Sequence, residues 1–581
     1  MTAMAGGWHP PNQPDGSGIG PLILMTDHLK LALAQLNPTM GDFAGNVRLA
    51  EDAFRAAQKM GADLLVLSEL FVTGYPPEDL VLRPQFQAEA LAAVEALAGW
   101  TSSGPAILVG APFVEAGQLY NAVLLLEGGE IRAKRFKVDL PNYGVFDEKR
   151  VFSPGSLPGP IDFKGVGIGV PICEDIWSSE VMECLEETGA EFFVVINGSP
   201  FSAGKADQRL TVAAARVRET KRPLLYLNQV GGQDELVFDG GSFVLDGQAH
   251  LAAQFPLFRS EIGLVDLKRT SDGWRVSSDL SFEGIEGDEA VYQAAVLGLR
   301  DYVNKNGFKG VLLGLSGGID SALCAAMAVD ALGPDRVRAV MLPYHYTSQA
   351  SLDDAALCAS ALGISYDVVP IEGAVSGATE ALQDLMPDGL GGVTEENIQS
   401  RLRGVLLMAL SNKTGDMLVT TGNKSEVSVG YATLYGDMNG GFNPIKDLYK
   451  TKVYDLSRLR NECLPDGCFG PKGEVIPVNI IEKAPSAELR EDQTDQDSLP
   501  PYEVLDDILD CLIEQDLSVP AIVSRGHDLE VVAKIEHLVY LAEYKRRQAA
   551  PGVKISSKNF GRDRRYPITN KFRSSPLRGS G

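Results

Sequence analysis

The amino-acid sequence predicts an α/β protein with two domains, a two-sheet sandwich flanked by helices and, after it, a doubly wound parallel sheet. The length of 581 residues exceeds what one hydrophobic core supports, so two or more domains are expected. From Leu29 to about Asp266, short β-rich apolar runs alternate with helical patterns and hairpin signals. From Ala290 onward, strand and helix patterns alternate one by one, which is typical of a parallel sheet.

The first domain contains six strand-like runs and two hairpin signals. The hairpins turn at Gly128-Gly129 and at Asp246-Gly247, where turn residues separate two apolar runs. Helical stretches such as NVRLAEDAFRAAQKMG fall between some of the strands. The strand-like runs, bounded by Gly, Pro and Asn, are LALAQLNP, ADLLVLSE, AILVGAP, VGIGVPICED, EFFVVINGSP and PLLYLNQV. Strands, hairpins and helices together predict a sandwich of two sheets with helices outside.

The domain boundaries follow from shifts in composition. Residues 1–25 are rich in Gly and Pro and lack the basic start of a signal peptide, so we expect a flexible leader and ordered structure from near Met25. We place the first domain at 26–267, a polar, Gly/Ser-rich linker at 268–289 and the second domain at 290–581. The second domain has the strand-like runs GVLLGLS, RVRAVMLPYH, SYDVVPI and DMLVTTG. Ligands of such a sheet bind at the carboxyl ends of the strands.

Composition excludes several classes of partner. The formal net charge of −25 argues against nucleic acid and against a membrane surface, because both need a cationic footprint. No apolar run approaches the ~20 residues that cross a bilayer. The seven cysteines are an odd number and are widely scattered, which argues against a disulfide framework. We therefore expect a cytoplasmic protein with small-molecule substrates.

A glycine-rich loop, GLSGGIDSA, follows the apolar run VLL and precedes a helical pattern. It is not the Walker pattern, because no lysine follows the glycines. Gly317 and Gly318 let backbone N–H groups approach an anion, and the helix that begins near Asp320 directs its positive end to the same place. Ser316 and Ser321 add hydroxyl donors. An ordinary strand-to-helix turn is the alternative, but the spaced serines and the aspartate favour a phosphate site with Mg²⁺.

The first domain offers a nucleophile without an obvious histidine partner. Cys173 comes just after an apolar strand, and a buried structural cysteine is the commoner fate of such a residue. A reactive thiol needs a proton acceptor, yet His28 and His250, the two histidines of this domain, lie in no recognisable catalytic context. Glu69, at the end of an apolar strand, and Lys137, before a loop, offer the missing charged groups, although either one alone is more commonly a structural or surface charge.

Each of these motifs resembles a known family. SGGIDS is similar to the pyrophosphate loop of the ATP-pyrophosphatase family, which cleaves ATP to AMP and pyrophosphate. The order Glu, Lys, Cys resembles the nitrilase (carbon–nitrogen hydrolase) superfamily, whose sandwich fold matches the strand-rich pattern. In that superfamily the glutamate is the general base, the lysine stabilises the oxyanion and the cysteine attacks the carbon. These roles would fall to Glu69, Lys137 and Cys173.

The combination of the two motifs resembles the glutamine-dependent NAD⁺ synthetases, and the resemblance covers residues 25–573. It implies a nitrilase-like α-β-β-α sandwich fused to a pyrophosphate-loop domain. It also implies a carbon–nitrogen ligase that hydrolyses glutamine to glutamate and ammonia, adenylates the nicotinate carboxylate of deamido-NAD⁺ with ATP, and amidates it to NAD⁺. Pyrophosphate and AMP are the implied by-products, and a homodimer or larger homo-oligomer formed through the synthetase domain is the implied assembly.

The resemblance also implies a set of site residues. Glutamine would be bound by Tyr143, Ser199 and Lys205. Glu148 would assist the catalytic triad of Glu69, Lys137 and Cys173. ATP would be bound by Gly314, Leu315, Ser316, Gly317, Gly318, Ile319, Asp320, Ser321 and Thr421. Deamido-NAD⁺ would be bound by Asn397, Glu426 and Lys545, with Lys558 as an alternative to Lys545 and with Asp437 and Lys446 as further candidates. Mg²⁺ would be held by Asp320 and Glu426.

Two other functions stay open on the sequence alone. One is a stand-alone amidase whose second domain binds a nucleotide as a regulator; the presence of Ser316, Asp320, Thr421 and Glu426 together disfavours it. The other is a tRNA-modifying pyrophosphatase, which the net charge of −25 disfavours. The basic tail after Gly552 would supply local cations that anionic substrates need in so acidic a protein.

Overall fold

The computed structural model describes residues 26–386, 391–491 and 493–573, so the predicted leader lies outside the described residues. The strands of the first domain are β1 (His28–Gln35), β2 (Leu64–Val66), β3 (Ala106–Glu115), β4 (Gln118–Glu127), β5 (Glu130–Phe136), β6 (Ile161–Phe163), β7 (Val166–Gly169), β8 (Phe192–Asn197), β9 (Leu224–Asn228), β10 (Val230–Gln233), β11 (Leu236–Asp239), β12 (Phe243–Leu245), β13 (Leu251–Gln254), β14 (Glu261–Thr270) and β15 (Gly273–Ser277). Its helices are α1 (Phe43–Met60), α2 (Pro84–Trp100), α3 (Glu148–Val151), α4 (Glu180–Glu187) and α5 (Lys205–Thr220).

The second domain begins with helix α6 and continues as an alternation of strands and helices. Its strands are β16 (Val311–Gly314), β17 (Val337–Met341), β18 (Ser365–Val368) and β19 (Met417–Val419). Its helices are α6 (Gly287–Lys305), α7 (Ile319–Leu332), α8 (Gln349–Leu362), α9 (Glu372–Leu382), α10 (Val393–Thr414), α11 (Lys424–Val429), α12 (Lys450–Glu462), α13 (Val478–Glu482), α14 (Tyr502–Ile513), α15 (Val519–Val523), α16 (Leu529–Leu541) and α17 (Glu543–Arg546).

Two sheets packed face to face form the first domain. One has the order β15-β14-β1-β2-β3-β4-β5 and the other β13-β12-β9-β8-β7-β6. Side chains alternate along β1, so Leu31 and Leu33 pack between the two sheets while Ala32 and Ala34 pack outward against α1 and α2. Helices α4 and α5 cover the outer face of the second sheet. The predicted α-β-β-α sandwich is therefore confirmed.

The segment predicted as a linker contains a strand. Lys268–Thr270 completes β14, and β15 pairs with it antiparallel, so both belong to the first sheet. Trp274 and Val276 are buried while Arg275 and Ser277 are exposed, so buried and exposed side chains alternate along β15. Only residues 278–286 therefore join the last strand to α6. The polar residues on the exposed face of β15 concealed this pattern in the sequence.

A four-stranded parallel sheet forms the centre of the second domain, in the order β18-β17-β16-β19. Val311, Leu312 and Leu313 of β16 are all buried, as expected of a strand covered on both faces. Helices α6 and α7 pack on one face, and α9 and α10 pack on the other. The predicted doubly wound domain is confirmed. Helices α14, α15 and α16 form a separate cluster against α11.

Five of the seven basic side chains described between residues 553 and 573 form ion pairs within the chain. Described basic residues of this segment pair with carboxylates of the same chain: Lys554 with Asp563, Lys558 with Asp516, Arg562 with Glu78, Arg564 with Glu543 and Arg565 with Asp147. Glu78 and Asp147 belong to the first domain. The tail thus ties the two domains together, and the charges of these five residues are balanced within the chain.

No helix within the described ranges is both long and apolar enough to cross a membrane.

Candidate active sites

Cys173 lies at a sharp turn that follows the second sheet. Ile172 forms a bridge to Ile196 of β8, and Cys173 then opens a 3₁₀ turn with a φ of 48°, in the left-handed region that non-glycine residues rarely adopt. The carboxylate of Asp175 accepts the N–H groups of Val138 at 3.0 Å and of Ile172 at 2.9 Å. Asp175 therefore fixes the turn and ties it to the segment that carries Lys137.

The ammonium of Lys137 lies between two buried carboxylates. Its Nζ donates to Oε1 of Glu69 at 2.8 Å and to Oε1 of Glu148 at 2.8 Å. Glu69 is held further by Asn121, whose Nδ2 is 2.8 Å away. Tyr75 donates its hydroxyl to Glu148 at 2.8 Å. The structure thus brings Glu69, Lys137 and Glu148 into one hydrogen-bonded network.

Burial and charge set the protonation of this site. Burial raises the pKa of the Cys173 thiol well above its usual value, the Glu69 carboxylate raises it further, and Lys137 opposes both. Burial lowers the pKa of Lys137, but the carboxylates of Glu148 and Glu69 outweigh it and raise the pKa overall. Burial also raises the pKa of Glu148, against the pull of Lys137. Cys173 therefore rests as a thiol beside a fixed cation, and it needs a base to become a nucleophile.

The three predicted glutamine residues lie around this network. Tyr143 is more than half exposed, and its hydroxyl donates to the carboxylate of Glu174 at 2.9 Å. Ser199 follows Gly198, whose N–H donates to Oε2 of Glu69 at 2.7 Å. Lys205 is the first residue of α5; burial, together with the nearby charge of Arg209, lowers its pKa to about 8. Tyr143 thus contacts the residue next to Cys173, and Ser199 follows a residue that binds Glu69.

Several residues of this site were not predicted from the sequence. Arg209 is buried, and its Nη1 lies 2.8 and 2.9 Å from the two carboxylate oxygens of Asp239. Its Nε donates to the hydroxyl of Ser199 at 3.1 Å, so Arg209 holds a predicted glutamine residue in place. Tyr75, Asn121, Asp175 and Glu174 were missed as well. Of these, only Glu174 could have been inferred from the sequence, because it directly follows Cys173.

The glycine-rich loop connects β16 to α7, as predicted. Gly317 has a φ of +77°, and a Cβ there would lie 2.3 Å from the carbonyl oxygen of Ser351, so this position requires glycine. The hydroxyl of Ser321 donates to the carbonyl of Gly318 at 2.9 Å, and the N–H of Gly318 donates to the hydroxyl of Ser316 at 3.3 Å. These bonds hold the loop in a tight curve at the positive end of α7.

Two adjoining cavities meet at this loop. One is lined by residues 316–321 together with Thr421, Glu426, Asp437, Lys450, Lys483 and Asp495, among others. The other is lined by Gly314, Leu315 and Ser316, by the end of β17 and by residues of α10. All nine predicted ATP residues line one cavity or the other. The cavities lie at the carboxyl ends of the parallel strands, where ligands of such sheets bind.

The two predicted metal ligands lie on either side of one lysine. Nζ of Lys450 contacts Oδ2 of Asp320 and lies 3.3 Å from Oε1 of Glu426. Oδ1 of Asp320 accepts from Asn423 at 2.9 Å. Burial and the charge of Asp320 raise the pKa of Glu426, against the pull of Lys450. In the described residues, no group of three or more His, Cys, Asp or Glu side chains could hold a metal ion. Two carboxylates fit Mg²⁺, which commonly completes its shell with water and substrate phosphates.

Of the residues predicted to bind the dinucleotide, some line the cavity and others do not. Oδ1 of Asn397 accepts from Thr433 at 3.0 Å, and Nζ of Lys545 donates to the carbonyl of Ala432 at 2.7 Å. Both therefore lie beside the cavity wall at Ala432 and not on its lining. Asp437 does line the cavity. Nζ of Lys446 lies 3.1 Å from Oε1 of Glu235 in the first domain, so Lys446 contributes to the domain interface instead.

Comparisons with known proteins address both halves and the whole chain. The family model of carbon–nitrogen hydrolases matches residues 30–275, and that of NAD synthases matches residues 291–549. The glutamine-dependent NAD⁺ synthetase of Rhodobacter capsulatus is 53% identical over 551 residues, which cover 94% of this chain and 100% of the relative. The chain belongs to the glutamine-dependent NAD⁺ synthetase family.

Solved structures of glutamine-dependent NAD⁺ synthetases have the same fold as this chain. The glutamine-dependent NAD⁺ synthetase of Acinetobacter baumannii, in complex with adenosine diphosphate, is 41% identical, has a TM-score of 0.74 and covers 94% of this chain and 99% of its own. The glutamine-dependent NAD⁺ synthetase of Cytophaga hutchinsonii, with 23% identity and a TM-score of 0.78 over 94% of this chain and 98% of its own, has the same fold. The family, the fold class and the ligase activity predicted from the sequence are thereby confirmed.

Proposed function

We propose that Cys173 releases ammonia from glutamine and that the cavities at the glycine-rich loop use ATP to attach this ammonia to the carboxylate of deamido-NAD⁺. The observation that supports the first half is the buried network of Glu69, Lys137 and Glu148 beside a thiol. A fixed cation flanked by a base and a nucleophile is the arrangement that hydrolysis of an amide through a covalent intermediate requires.

Glutamine hydrolysis would begin with transfer of the Cys173 proton to Glu69. The sulfur then attacks the side-chain amide carbon, and Lys137 stabilises the negative charge that develops on the amide oxygen. Ammonia leaves with the proton that Glu69 returns, and a thioester to Cys173 remains. Water, activated by Glu69, hydrolyses the thioester to glutamate. Glu148 does not react in this scheme; it balances the charge of Lys137 and fixes its position.

The surroundings of Cys173 match the two charges of an amino acid. Lys205 presents a half-buried ammonium that forms no ion pair among the described residues, so it suits the α-carboxylate of glutamine. Glu174, held by Tyr143, presents a half-buried carboxylate that suits the α-ammonium group. A neutral amide without these charges would leave both groups unpaired in a partly desolvated site, which selects for glutamine.

The second reaction would use the loop to hold pyrophosphate. The nicotinate carboxylate attacks the α-phosphorus of ATP, and pyrophosphate leaves toward the N–H groups around Gly317 and Gly318. Ammonia then attacks the carbonyl carbon of the acyl-adenylate, AMP leaves with the bonding electron pair, and the surplus proton passes to solvent. Mg²⁺, held by Asp320 and Glu426, would neutralise part of the phosphate charge. Lys450 and Lys483 line the same cavity and would add positive charge there.

A product analysis tests this function. The purified chain, given glutamine, ATP, Mg²⁺ and deamido-NAD⁺, should form NAD⁺, AMP and pyrophosphate in equal amounts. Glutamate should form in at least the same amount. Formation of ADP in place of AMP would contradict the assignment of the loop. Glutamate without AMP would instead indicate a stand-alone amidase with a regulatory nucleotide domain.

The assembly and the compartment belong to the same proposal. We expect the synthetase domains to pair about a two-fold axis, giving a homodimer or a larger assembly built from it. We expect a reducing, cytoplasmic setting, in keeping with seven cysteines that form no disulfide. Multi-angle light scattering of the active protein tests the assembly, and a monomer that retains full activity would contradict it.

A further inference from the structure

A two-stranded ribbon of the first domain, β10 paired with β11, lies directly against the first helix of the second domain. Gly232 of the ribbon approaches α6 so closely that a Cβ there would lie 3.1 Å from the Cα of Gly298. A Cβ at Gly298 would in turn lie 3.0 Å from the side chain of Val237. Val230 and Val237 of the ribbon belong to the same buried cluster as α6 and α7. The second domain therefore supplies the hydrophobic support for this part of the first.

Two residues of β11 support the glutamine site. Phe238 packs edge-to-face on Tyr75, with ring centroids 6.1 Å apart, and Tyr75 holds Glu148. Asp239, the last residue of β11, pairs with Arg209, which fixes Ser199. Displacement of the ribbon would therefore shift the partners of both Glu148 and Ser199.

Two charged residues of α6 hold the ribbon through hydrogen bonds. Oδ2 of Asp301 accepts the N–H of Gly232 at 2.7 Å and Nδ2 of Asn37, after β1, also at 2.7 Å. Nζ of Lys305, one turn later, donates to the carbonyl of Gly232 at 2.8 Å and to Oδ1 of Asn37 at 2.7 Å. Both polar groups of the Gly232 backbone and both of the Asn37 side chain are thus satisfied by one helix. Asp301 is buried, so loss of its carboxylate would leave donors unpaired.

We propose that Asp301 and Lys305 are positioning residues for glutamine hydrolysis, although both belong to the domain that makes NAD⁺. They contact none of the groups that react. They hold the β10–β11 ribbon, and the ribbon holds Tyr75 and Arg209, which in turn orient Glu148 and Ser199. This inference rests on the proposed glutamine site. It makes the glutamine site complete only when the synthetase domain is folded beside it.

The test compares two nitrogen sources in full-length variants. In Asp301→Ala, glutamine-supported NAD⁺ synthesis should fall by about tenfold to a hundredfold, the range that misplacement of a catalytic group by about 1 Å produces. Ammonium-supported synthesis should stay within about twofold, because Asp301 lies outside the synthetase cavities. The loss should appear mainly in kcat, and labelling of Cys173 by an amide-mimicking electrophile should slow in parallel.

Two further variants separate positioning from general stability. Asp301→Asn keeps an oxygen that can accept both N–H donors, so it should recover most of the glutamine-supported rate. Asp288→Ala removes an ion pair of the same helix, to Lys452 at 2.7 Å, that stays within the second domain, and it should affect neither nitrogen source.

The outcomes are distinct. An unchanged glutamine-supported rate in Asp301→Ala would overturn the inference, and so would an equal fall with glutamine and with ammonium. Failure of the proposed glutamine site itself would be recognised separately, because the unaltered chain would then form no NAD⁺ from glutamine.

Discussion

At the scale of single residues, Lys137 determines how two carboxylates can be buried beside a thiol. Its ammonium is fully buried and lies 2.8 Å from Glu69 and 2.8 Å from Glu148. The cost of taking the two carboxylates out of water is offset only while the ammonium of Lys137 lies between them. In the proposed mechanism the same arrangement keeps a permanent cation where the amide oxygen becomes negative. We therefore expect stability and catalysis to depend on the same side chain.

Replacement of Lys137 tests both roles. Lys137→Met should destabilise the first domain by about 3–5 kcal/mol, because two buried carboxylates would face each other without a cation. It should also abolish glutamine hydrolysis. The double variant Lys137→Met/Glu148→Gln removes one of the two charges, so it should regain part of the stability but none of the activity. Thermal unfolding and glutamate release measure the two quantities. Full activity in either variant would contradict the role of Lys137.

Lys205 should make glutamine use sensitive to alkaline pH. Burial lowers its pKa to about 8, so the ammonium that would bind the α-carboxylate is lost as the pH rises through this value. The value of kcat/KM for glutamine should therefore fall above about pH 8. In Lys205→Arg the fall should move to higher pH, since a guanidinium stays charged. The titration of free glutamine is the same in assays of the unaltered chain and of Lys205→Arg. Any difference between their pH profiles of kcat/KM therefore reports on residue 205. Coincident profiles would exclude Lys205 as the carboxylate ligand.

Sequence reasoning identified the residues that carry motifs and missed the residues that support them. Glu69, Lys137 and Cys173 were found because each follows or precedes a strand in a recognisable order, and the structure brings Glu69 and Lys137 into contact near Cys173. Arg209 and Asp239, by contrast, are 30 positions apart and meet only in the folded chain. A buried ion pair of this kind leaves no local pattern. Their roles, like those of the predicted residues, stay predictions until variants are measured.

At the scale of elements, the glycine-rich loop depends on one backbone conformation. Gly317→Ala would need a left-handed backbone, which costs a residue with a Cβ about 1–2 kcal/mol, and would also force the new methyl group to within 2.3 Å of the Ser351 carbonyl. We expect a lower unfolding temperature and loss of ammonium-supported synthesis, while Cys173 still reacts with an electrophile.

Gly318→Ala is the matched control for this loop. Its φ of −94° suits any residue, and the nearest atom to a new Cβ would be 3.4 Å away. The unfolding temperature should therefore stay unchanged. Equal destabilisation by the two substitutions would contradict the assignment of strain to Gly317 alone.

The elements that sequence patterns predicted less well are those whose burial comes from the other domain. The sandwich and the parallel sheet were predicted from periodic apolar runs. The β10–β11 ribbon was not, because Val230-Gly231-Gly232-Gln233 has too few apolar residues for a strand pattern. Helix α6 supplies the missing apolar contacts. Strand β15 was taken for a linker for another reason: only Trp274 and Val276 face the core of its own domain.

At the scale of the whole molecule, the two candidate sites lie in different domains that share a hydrophobic cluster. Phe201 and Val237 of the first domain pack in the same cluster as the core of the second. Sequence patterns predicted the two domains but gave no information on this interface, because contacts between domains have no periodicity of their own. The interface matters for the proposed function, since ammonia released at Cys173 would have to reach the loop cavities without becoming ammonium in water.

A protein-enclosed passage for ammonia is therefore expected between the sites. An external ammonia scavenger should leave glutamine-supported NAD⁺ synthesis largely intact while it suppresses ammonium-supported synthesis. Hydrolysis of glutamine should also quicken when ATP and deamido-NAD⁺ are present. Equal suppression of both nitrogen sources by the scavenger would mean that ammonia travels through solvent.

The most direct measurement of the two-site account is NAD⁺ formation by Cys173→Ala with each nitrogen source. Cys184→Ala, which alters another cysteine of the first domain, is the control and should behave like the unaltered chain. We predict that Cys173→Ala forms no NAD⁺ from glutamine, because the thiol serves only to release ammonia. It should form NAD⁺ from ammonium at close to the normal rate, because the loop cavities are intact. Loss of both activities in a folded variant, or NAD⁺ formation from glutamine without Cys173, would contradict the account.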